Sequence, residues 1–193
     1  MKKIVFALFF GLMMFNNVNA QTVNQGDQII NVGLGVDPFY SFSSYNGASK
    51  KSFGPIVAGY EYIVTEKLGI GRIGVGGIIR QSFYSQKYNS NYYSSFNDKA
   101  SRTAIIARAA YHFDLPVKGL DLYAGVGAGF YFHNRKSTYT TYSGINSESS
   151  DVSVAPGHYI FGGVRYFFTE GFGVYGEFGH GLNALSLGLV FKF

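Results

Sequence analysis

Apolar and polar residues alternate along much of this chain with a period of two. In residues 121–133 the odd-numbered positions carry glycine, tyrosine, Asp121 and His133, and the even-numbered positions are apolar: Leu122, Ala124, Val126, Ala128, Phe130 and Phe132. Successive side chains of a β-strand point to opposite faces, whereas a helix would scatter both sets around its circumference. The pattern therefore predicts a strand with one apolar face and one small or polar face.

Seven further segments show the same alternation, which brings the predicted number of strands to eight. The predicted strands are residues 28–36, 53–63, 70–84, 101–113, 121–133, 155–168, 173–180 and 185–193. Beyond the N-terminal region, no apolar run approaches the roughly 20 residues of a membrane-spanning helix. The chain is thus predicted to be all-β.

The links between these strands differ in length by position. The links after the second, fourth and sixth strands are short, whereas those after the first, third and fifth (residues 37–52, 85–100 and 135–153) are long and polar. The last link, residues 181–184, is short. Short periplasmic turns, long outer loops and an even strand number are typical of outer-membrane barrels. Because only helices and closed barrels satisfy every backbone group in lipid, we predict an eight-stranded antiparallel up-and-down transmembrane β-barrel.

The N-terminus has the features of an export signal. Lys2 and Lys3 precede an apolar run at residues 4–15, and a polar stretch follows that ends in Val18-Asn19-Ala20. The apolar run is too short to anchor the chain as an uncleaved membrane helix. The predicted organisation is a signal peptide at residues 1–20 and an outer-membrane β-barrel domain at residues 21–193.

Composition narrows the classes of function. The chain contains 26 Gly, 16 Tyr and 19 Phe but no Cys, which excludes a disulfide scaffold, a thiolate metal site and a lipid-modified N-terminal cysteine. The formal net charge falls from +5 to +3 when Lys2 and Lys3 leave with the signal peptide. That charge is too small to indicate nucleic acid as a partner.

Five motifs carry a resemblance to a known family. They are Tyr111-His112-Phe113, Tyr123-Ala124-Gly125-Val126-Gly127, Gly163-Val164-Arg165-Tyr166-Phe167-Phe168, Gly176-Glu177-Phe178-Gly179 and Leu187-Gly188-Leu189-Val190-Phe191-Lys192-Phe193. They resemble the small outer-membrane β-barrel family common in Bacteroidetes, which is similar in architecture to OmpX and to the transmembrane part of OmpA. The resemblance covers essentially the whole mature chain. It implies no catalytic residues, and an assembly signal at Phe191 and Phe193 that the barrel-assembly machinery reads.

Three sequence features resemble catalytic or ligand-binding motifs, but each lacks a residue or an element that the chemistry requires. Residues 69–74 match Gly-x-Gly-x-x-Gly, but the dinucleotide motif needs a following helix, and here an alternating strand continues. A lipid hydrolase needs a Ser or Thr beside a His base, yet His180 has no adjacent serine and Ser186 is predicted to face inward. The four histidines lack the spacing of a metal site: His112, His133, His158 and His180. We expect no cofactor, metal or catalytic residue, and an outer-membrane enzyme acting on lipid A or phospholipid is the alternative function.

Charged residues on the inward face are predicted to form ion pairs inside the barrel. Eight strands leave an interior just wide enough to be filled by side chains, and an unpaired ion buried there costs several kcal/mol. We expect a closed polar plug in place of a pore, with Glu177 paired to Arg165 or Lys192 of the neighbouring strands. The predicted network comprises Glu61, Arg72, Arg108, Asp121, Arg165, Glu177 and Lys192.

Basic and aromatic residues of the long loops are predicted to form the outer rim. The basic residues are Lys50, Lys51, Lys87, Lys99, Arg102, Arg135 and Lys136. Such side chains would neutralise phosphorylated lipopolysaccharide at that height. Tyrosines among Ser, Asn and Gly are typical of adaptable binding surfaces. The candidate contacts for an extracellular ligand are therefore Tyr40, Tyr45, Tyr88, Tyr92, Tyr93, Tyr139 and Tyr142.

A secreted lipocalin-like barrel is the soluble alternative. It would turn the pattern inside out, with aliphatic residues inside and polar residues outside. Its outer face would then consist largely of glycines such as Gly125, Gly127 and Gly129. The sequence therefore favours a non-enzymatic integral outer-membrane barrel with an envelope-structural or surface-interaction role. For such a barrel we expect Val126→Arg to block assembly and Gly127→Ala to cost far less.

The first test concerns export. We expect signal removal after Ala20, so that N-terminal sequencing of the protein from outer membranes begins at Gln21. Recovery of the chain with Met1 intact would contradict this expectation.

Overall fold

The structure is a computed structural model that describes residues 23–36, 48–89, 94–141, 144–182 and 184–193. The predicted signal peptide and most of the predicted link 37–52 lie outside the described residues. The described chain forms eight strands: β1 (Gln28–Val36), β2 (Ser49–Ile63), β3 (Gly71–Asn89), β4 (Ser94–Phe113), β5 (Leu120–Thr141), β6 (Asn146–Phe167), β7 (Phe172–His180) and β8 (Leu185–Lys192). Among the described residues, no helix is long and apolar enough to cross a membrane.

The eight strands close into a single ring. Each strand pairs antiparallel with the next one along the chain, and β8 returns to pair with β1 from Ile29↔Lys192 to Val36↔Leu185. The C-terminal residue completes this seam, because Gln28 and Phe193 exchange backbone N–H···O bonds of 2.8 and 3.0 Å. The predicted all-β, eight-stranded, antiparallel up-and-down barrel is confirmed.

The alternation of the sequence separates the two faces of the ring. Val126, Ile160 and Leu187 point outward and keep 58–60% of their surface exposed, whereas Tyr123 and Arg165 point inward and are buried. Aromatic residues lie near both ends of the outward face. Tyr62, Tyr166, Phe168, Phe172 and Phe191 are near the short turns, and Phe53, Phe83 and Phe130 are near the opposite end.

Two of the predicted loops are strands for most of their length. β3 runs to Asn89 and β4 begins at Ser94, while β5 runs to Thr141 and β6 begins at Asn146. The pairing continues to Asn89↔Ser95 and Thr140↔Asn146. The predicted strands are too short because the apolar face on which the prediction rests ends before the strands do. The apolar face ends because solvent lies on both sides of the hairpin from that point on, but the backbone remains paired.

These long hairpins rise above one side of the barrel as a sheet. β1, β7 and β8 have 8 or 9 residues, whereas β5 and β6 have 22 each. β6 first pairs with β7 at Ile160↔His180, so residues 146–159 of β6, about 45 Å of strand, have no partner strand on that side within the described part of the chain. Glu148, Asp151 and Pro156 lie along this edge, and such residues limit uncontrolled strand pairing.

A bulge in β2 reverses the face of the upper part of that strand. The register of β2 against β3 shifts between Phe53 and Ile56, where Gly54 adopts a positive φ of 94°. Phe53 therefore faces outward beside Phe83, although strict alternation from Ile56 would turn it inward. Lys51, two residues above Phe53, faces outward as well.

Several inward glycines lie against the backbone of a neighbouring strand. A Cβ added at Gly127 would be 2.7 Å from both the Ala107 carbonyl oxygen and Ile106 Cγ2. The expectation that Gly127→Ala is a mild change is therefore wrong, because the Ala107 backbone would have to move. At Gly59, also inward, the nearest atom to an added Cβ is 3.6 Å away, so Gly59 is the better control.

Candidate functional site

A network of buried ions fills the middle of the lumen, and Arg108 on β4 is at its centre. Arg108 donates to Glu177 on β7 over 2.8 Å and to Glu61 on β2 over 3.3 Å. All three side chains are at most 5% exposed. Side chains from strands on opposite sides of the ring thus meet in one cluster.

Arg165 on β6 forms the second bridge. Its guanidinium donates to Glu61 over 2.7 Å and to Asp121 on β5 over 3.0 Å. Its central carbon also lies 4.1 Å from the centre of the Tyr123 ring, which adds a cation–π contact. Glu61 is therefore shared by both arginines.

His112 on β4 completes the cluster. Its Nδ1 lies 2.9 Å from Asp121, and its Nε2 contacts Glu61. When both ring nitrogens carry protons, each donates to a carboxylate oxygen. Three cations then balance three carboxylates, which is the condition for placing ions in a low-dielectric interior.

Two tyrosines seal the cluster around Glu177. The Tyr123 and Tyr159 hydroxyls donate to the Glu177 carboxylate over 2.9 and 2.8 Å. Phe161 stacks on Tyr159 at a ring separation of 4.8 Å and lies 4.1 Å from the Arg108 guanidinium. The lumen at this level is filled by side chains, as expected for a plug.

The structure brings five of the seven predicted network residues together: Glu61, Arg108, Asp121, Arg165 and Glu177. Arg72 and Lys192 belong elsewhere. Arg72 pairs with Asp114 at the short-turn end, and Lys192 lies 3.5 Å from Asp27.

The predicted partners of Glu177 are wrong. The prediction considered only the adjacent strands, whereas Arg108 reaches Glu177 across the narrow lumen from β4. His112 was missed as a member of the network. Its signal was present, since it lies four residues from Arg108 and therefore on the same inward face.

A second group of polar residues closes the lumen toward the long hairpins. Arg80 donates to the Leu182 carbonyl, and Arg102 lies 4.2 Å from the centre of the Tyr131 ring. Arg135 bonds the buried Asp98. Arg102 and Arg135, predicted as outer-rim cations, thus point to the inside of the ring.

The other predicted rim cations divide between the two faces. Lys50 is paired in register with the buried Gln86 and lies on the inner side of the mouth. Lys51, Lys87, Lys99 and Lys136 face outward and are exposed. Four lysines therefore remain as an outward basic group.

The features considered for catalysis do not converge. His180 is exposed on the outward face beside His158, whereas Ser186 is buried inside and lies 3.5 Å from the Glu177 carbonyl oxygen. Residues 69–74 run from a turn into β3, and no helix follows. Among the described residues, no group of three His, Asp or Glu side chains is arranged to hold a metal ion.

Phe191 and Phe193, the predicted assembly signal, lie on the outward face of the closing strand. Phe191 contacts Phe172 of β7 with a ring separation of 5.4 Å, and Phe193 is 63% exposed. Recognition of these residues by an assembly machinery stays a prediction.

The chain matches no known protein-family model and no curated protein sequence. Solved structures similar to it include Ail, the attachment invasion locus protein of Yersinia pestis, at 13% identity and a TM-score of 0.45, with 88% of this chain and 99% of that chain covered. Ail in complex with the heparin analogue sucrose octasulfate gives 14% identity and a TM-score of 0.46 over the same shares. The N-terminal β-barrel domain of Pseudomonas aeruginosa OprF is 21% identical, with a TM-score of 0.43 over 89% of this chain and 100% of that chain. At these identities the similarity is one of overall barrel architecture.

The ion network generates a stability prediction. Glu177→Gln leaves the cluster with one excess positive charge, because Arg108 loses one of its two carboxylates. We expect the free energy of unfolding to fall by about 3 kcal/mol. The measurement is the temperature at which the detergent-folded barrel loses its compact gel mobility, which should be lower in the variant.

Double variants identify the partner. Glu177→Gln with Arg108→Gln restores neutrality and should recover part of the loss, whereas Glu177→Gln with Lys192→Gln should not. A silent Glu177→Gln, together with steady ion conductance of the parent protein in planar bilayers, would contradict a plugged lumen.

Proposed function

We propose that this protein is a non-enzymatic integral outer-membrane barrel that presents a rigid sheet at the cell surface. The observation that carries the proposal is that the ring is polar inside and apolar outside, the reverse of a soluble protein. The interior holds ion pairs, and the exterior is a continuous apolar belt that includes Leu34, Ile79, Val126, Ile160 and Leu187. A soluble protein rarely exposes a contiguous apolar surface of this size.

The dimensions of the belt suit a bilayer. β1, β7 and β8 have 8 or 9 residues, close to the 9–11 residues of a tilted transmembrane strand. Aromatic residues at both ends of the belt match the interfacial girdles of such barrels. The acyl chains of outer-membrane lipids are thus the natural partners of the belt.

The hairpins β3–β4 and β5–β6 are proposed to lie outside the cell, above this belt. Their residues are largely polar on both faces, and the hairpins begin where the continuous apolar face ends. In this orientation both ends of the mature chain are periplasmic, which fits export by a cleaved signal peptide at residues 1–20 and insertion by the barrel-assembly machinery through Phe191 and Phe193. The outward lysines then lie at the height of lipopolysaccharide.

The protruding sheet supports a surface-interaction or envelope-structural role over catalysis. It is held by backbone pairing up to Thr140↔Asn146, so it presents its side chains, including Tyr88 and Tyr139, on a rigid support. The lipid-hydrolase alternative would need a nucleophile and a base on one face, and Ser186 and His180 lie on opposite faces.

Membrane insertion is tested with one outward position. Val126→Arg places a cation in the middle of the apolar belt, where it costs about 2–4 kcal/mol if that surface meets lipid. We expect Val126→Arg to be depleted from alkaline-washed outer membranes, as judged by the folded, heat-modifiable gel band.

Two variants serve as controls for insertion. Val126→Leu keeps the belt apolar, and Gly59→Ala changes an inward position with room for a Cβ; both should assemble normally. Equal yields of Val126→Arg and Val126→Leu would show that the belt does not face lipid.

Orientation is tested with matched epitope insertions. A tag placed after Gly144, at the end of the β5–β6 hairpin, should bind antibody on intact cells, because that hairpin is outside. A tag after Glu170, in the short turn between β6 and β7, should bind only after the outer membrane is permeabilised. The reverse labelling pattern would invert the proposed topology.

A further inference from the structure

Three lysines line one groove on the outward face, at the foot of the protruding sheet. They are Lys51 on β2, Lys99 on β4 and Lys136 on β5, and the groove has a volume of about 760 Å³. Among the described residues that line it, none is acidic. The groove is therefore basic in its upper part.

The register of the strands places these lysines at the same height on neighbouring strands. Lys51 pairs with Ser85, Ser85 with Lys99, and Lys99 with Lys136. Neighbouring strands are about 4.8 Å apart, so the Cα atoms of the three lysines lie within roughly 15 Å of one another. Lys87, two residues above Ser85 on β3, faces the same way.

Among the described residues, no ion pair compensates the charge of Lys51 or Lys99. Lys99 and Lys136 are directly opposite each other, and like charges in that position are destabilising. Glu148 on β6 lies 2.6 Å from Lys136 and offsets one of the three charges. An anion bound between Lys51 and Lys99 would relieve the remaining repulsion.

An apolar shelf lies directly below the lysines. Phe53, Phe83 and Val152 line the lower part of the same groove and are 46–67% exposed. The bulge at Gly54 is what turns Phe53 onto this face. A ligand that fills the groove thus needs an anionic group above and an apolar part below, which is the structure of a lipid with a charged headgroup.

We propose that this groove binds the phosphorylated headgroup of an outer-leaflet glycolipid of the lipid A type. Lys51 and Lys99 contact the phosphate, and the rings of Phe53 and Phe83 pack against the upper part of the acyl chains. The inference rests on the proposed function, since only a barrel in that membrane meets this lipid from the side. It assigns the lipid contact to the outward lysines and not to Lys50 or Arg102, which lie on the inner side of the ring. Arg135 also lines the groove, but its guanidinium bonds Asp98.

The test compares two double variants of equal charge change. Lys51→Gln/Lys99→Gln removes the groove cations, and Lys67→Gln/Lys118→Gln removes two exposed lysines near the short turns. Binding of diphosphoryl lipid A to the folded barrel in non-ionic detergent is measured by native mass spectrometry. We expect the groove variant to bind about thirty-fold more weakly than the parent, and the control variant to bind like the parent.

Competition separates lipid-borne from soluble phosphate. Dephosphorylated lipid A should bind the parent as weakly as diphosphoryl lipid A binds the groove variant, and inorganic phosphate should not displace the lipid. Equal weakening in both double variants would indicate a nonspecific charge effect and overturn the proposal, as would displacement of the lipid by millimolar phosphate.

A separate measurement distinguishes failure of this site from failure of the proposed function. Both double variants should remain in alkaline-washed membranes as folded, heat-modifiable barrels. If they do so and lipid A binding is unchanged by Lys51→Gln/Lys99→Gln, only the groove assignment falls. If the parent protein itself washes off the membrane, the proposed function falls with it.

Discussion

Closure of the ring is the constraint on which the rest of the structure depends. Pairing of β8 with β1 leaves no open strand edge in the barrel wall, and eight strands enclose a space only as wide as the side chains that fill it. Inward charges from all sides must therefore share one small volume. Arg108 meets Glu61 and Glu177, which lie two strands away on one side and three on the other. Such contacts are possible only because the ring is narrow.

The same narrowness accounts for the abundance of inward glycine. A Cβ at Gly125 would be 2.5 Å from the Phe161 ring, and one at Gly163 would be 2.4 Å from the Tyr123 ring. These two rings pack around the arginines of the ion network. Glycine on one strand thus makes room for a large aromatic side chain on the next, and the aromatic side chains in turn shield the ions from water. The same side chains therefore fill the lumen and stabilise its ion pairs.

The barrel and the protruding sheet are continuous in backbone but differ in what stabilises them. In the barrel, a buried polar cluster is enclosed by a wall with an apolar exterior. Above it, both faces of the hairpins are largely polar, and stability comes from strand pairing and a few contacts such as Arg135 with Asp98 and Phe96 stacked on Tyr139. On the outside, Phe53 and Phe83 lie at the boundary between the two parts, and Lys51 and Lys99 lie directly above them. In the proposed orientation this boundary lies at the height of the lipid headgroups, which agrees with a groove that combines charge with an apolar shelf.

Local periodicity determined the strand number and the two faces, because a period of two specifies which side chains share a face without any knowledge of distant residues. The alternation of short and long links indicated the up-and-down order. The periodicity also identified five members of the ion network, since Glu61, Arg108, Asp121, Arg165 and Glu177 all occupy inward positions. Their pairing was decided by the tertiary structure: the partner of Glu177 lies across the ring, and no neighbour rule along the chain selects Arg108. The outward position of Phe53 and Lys51 likewise depends on a bulge at Gly54 that breaks the alternation. The length of the hairpins was hidden for a related reason, because backbone pairing continues after the apolar pattern that reveals it has ended.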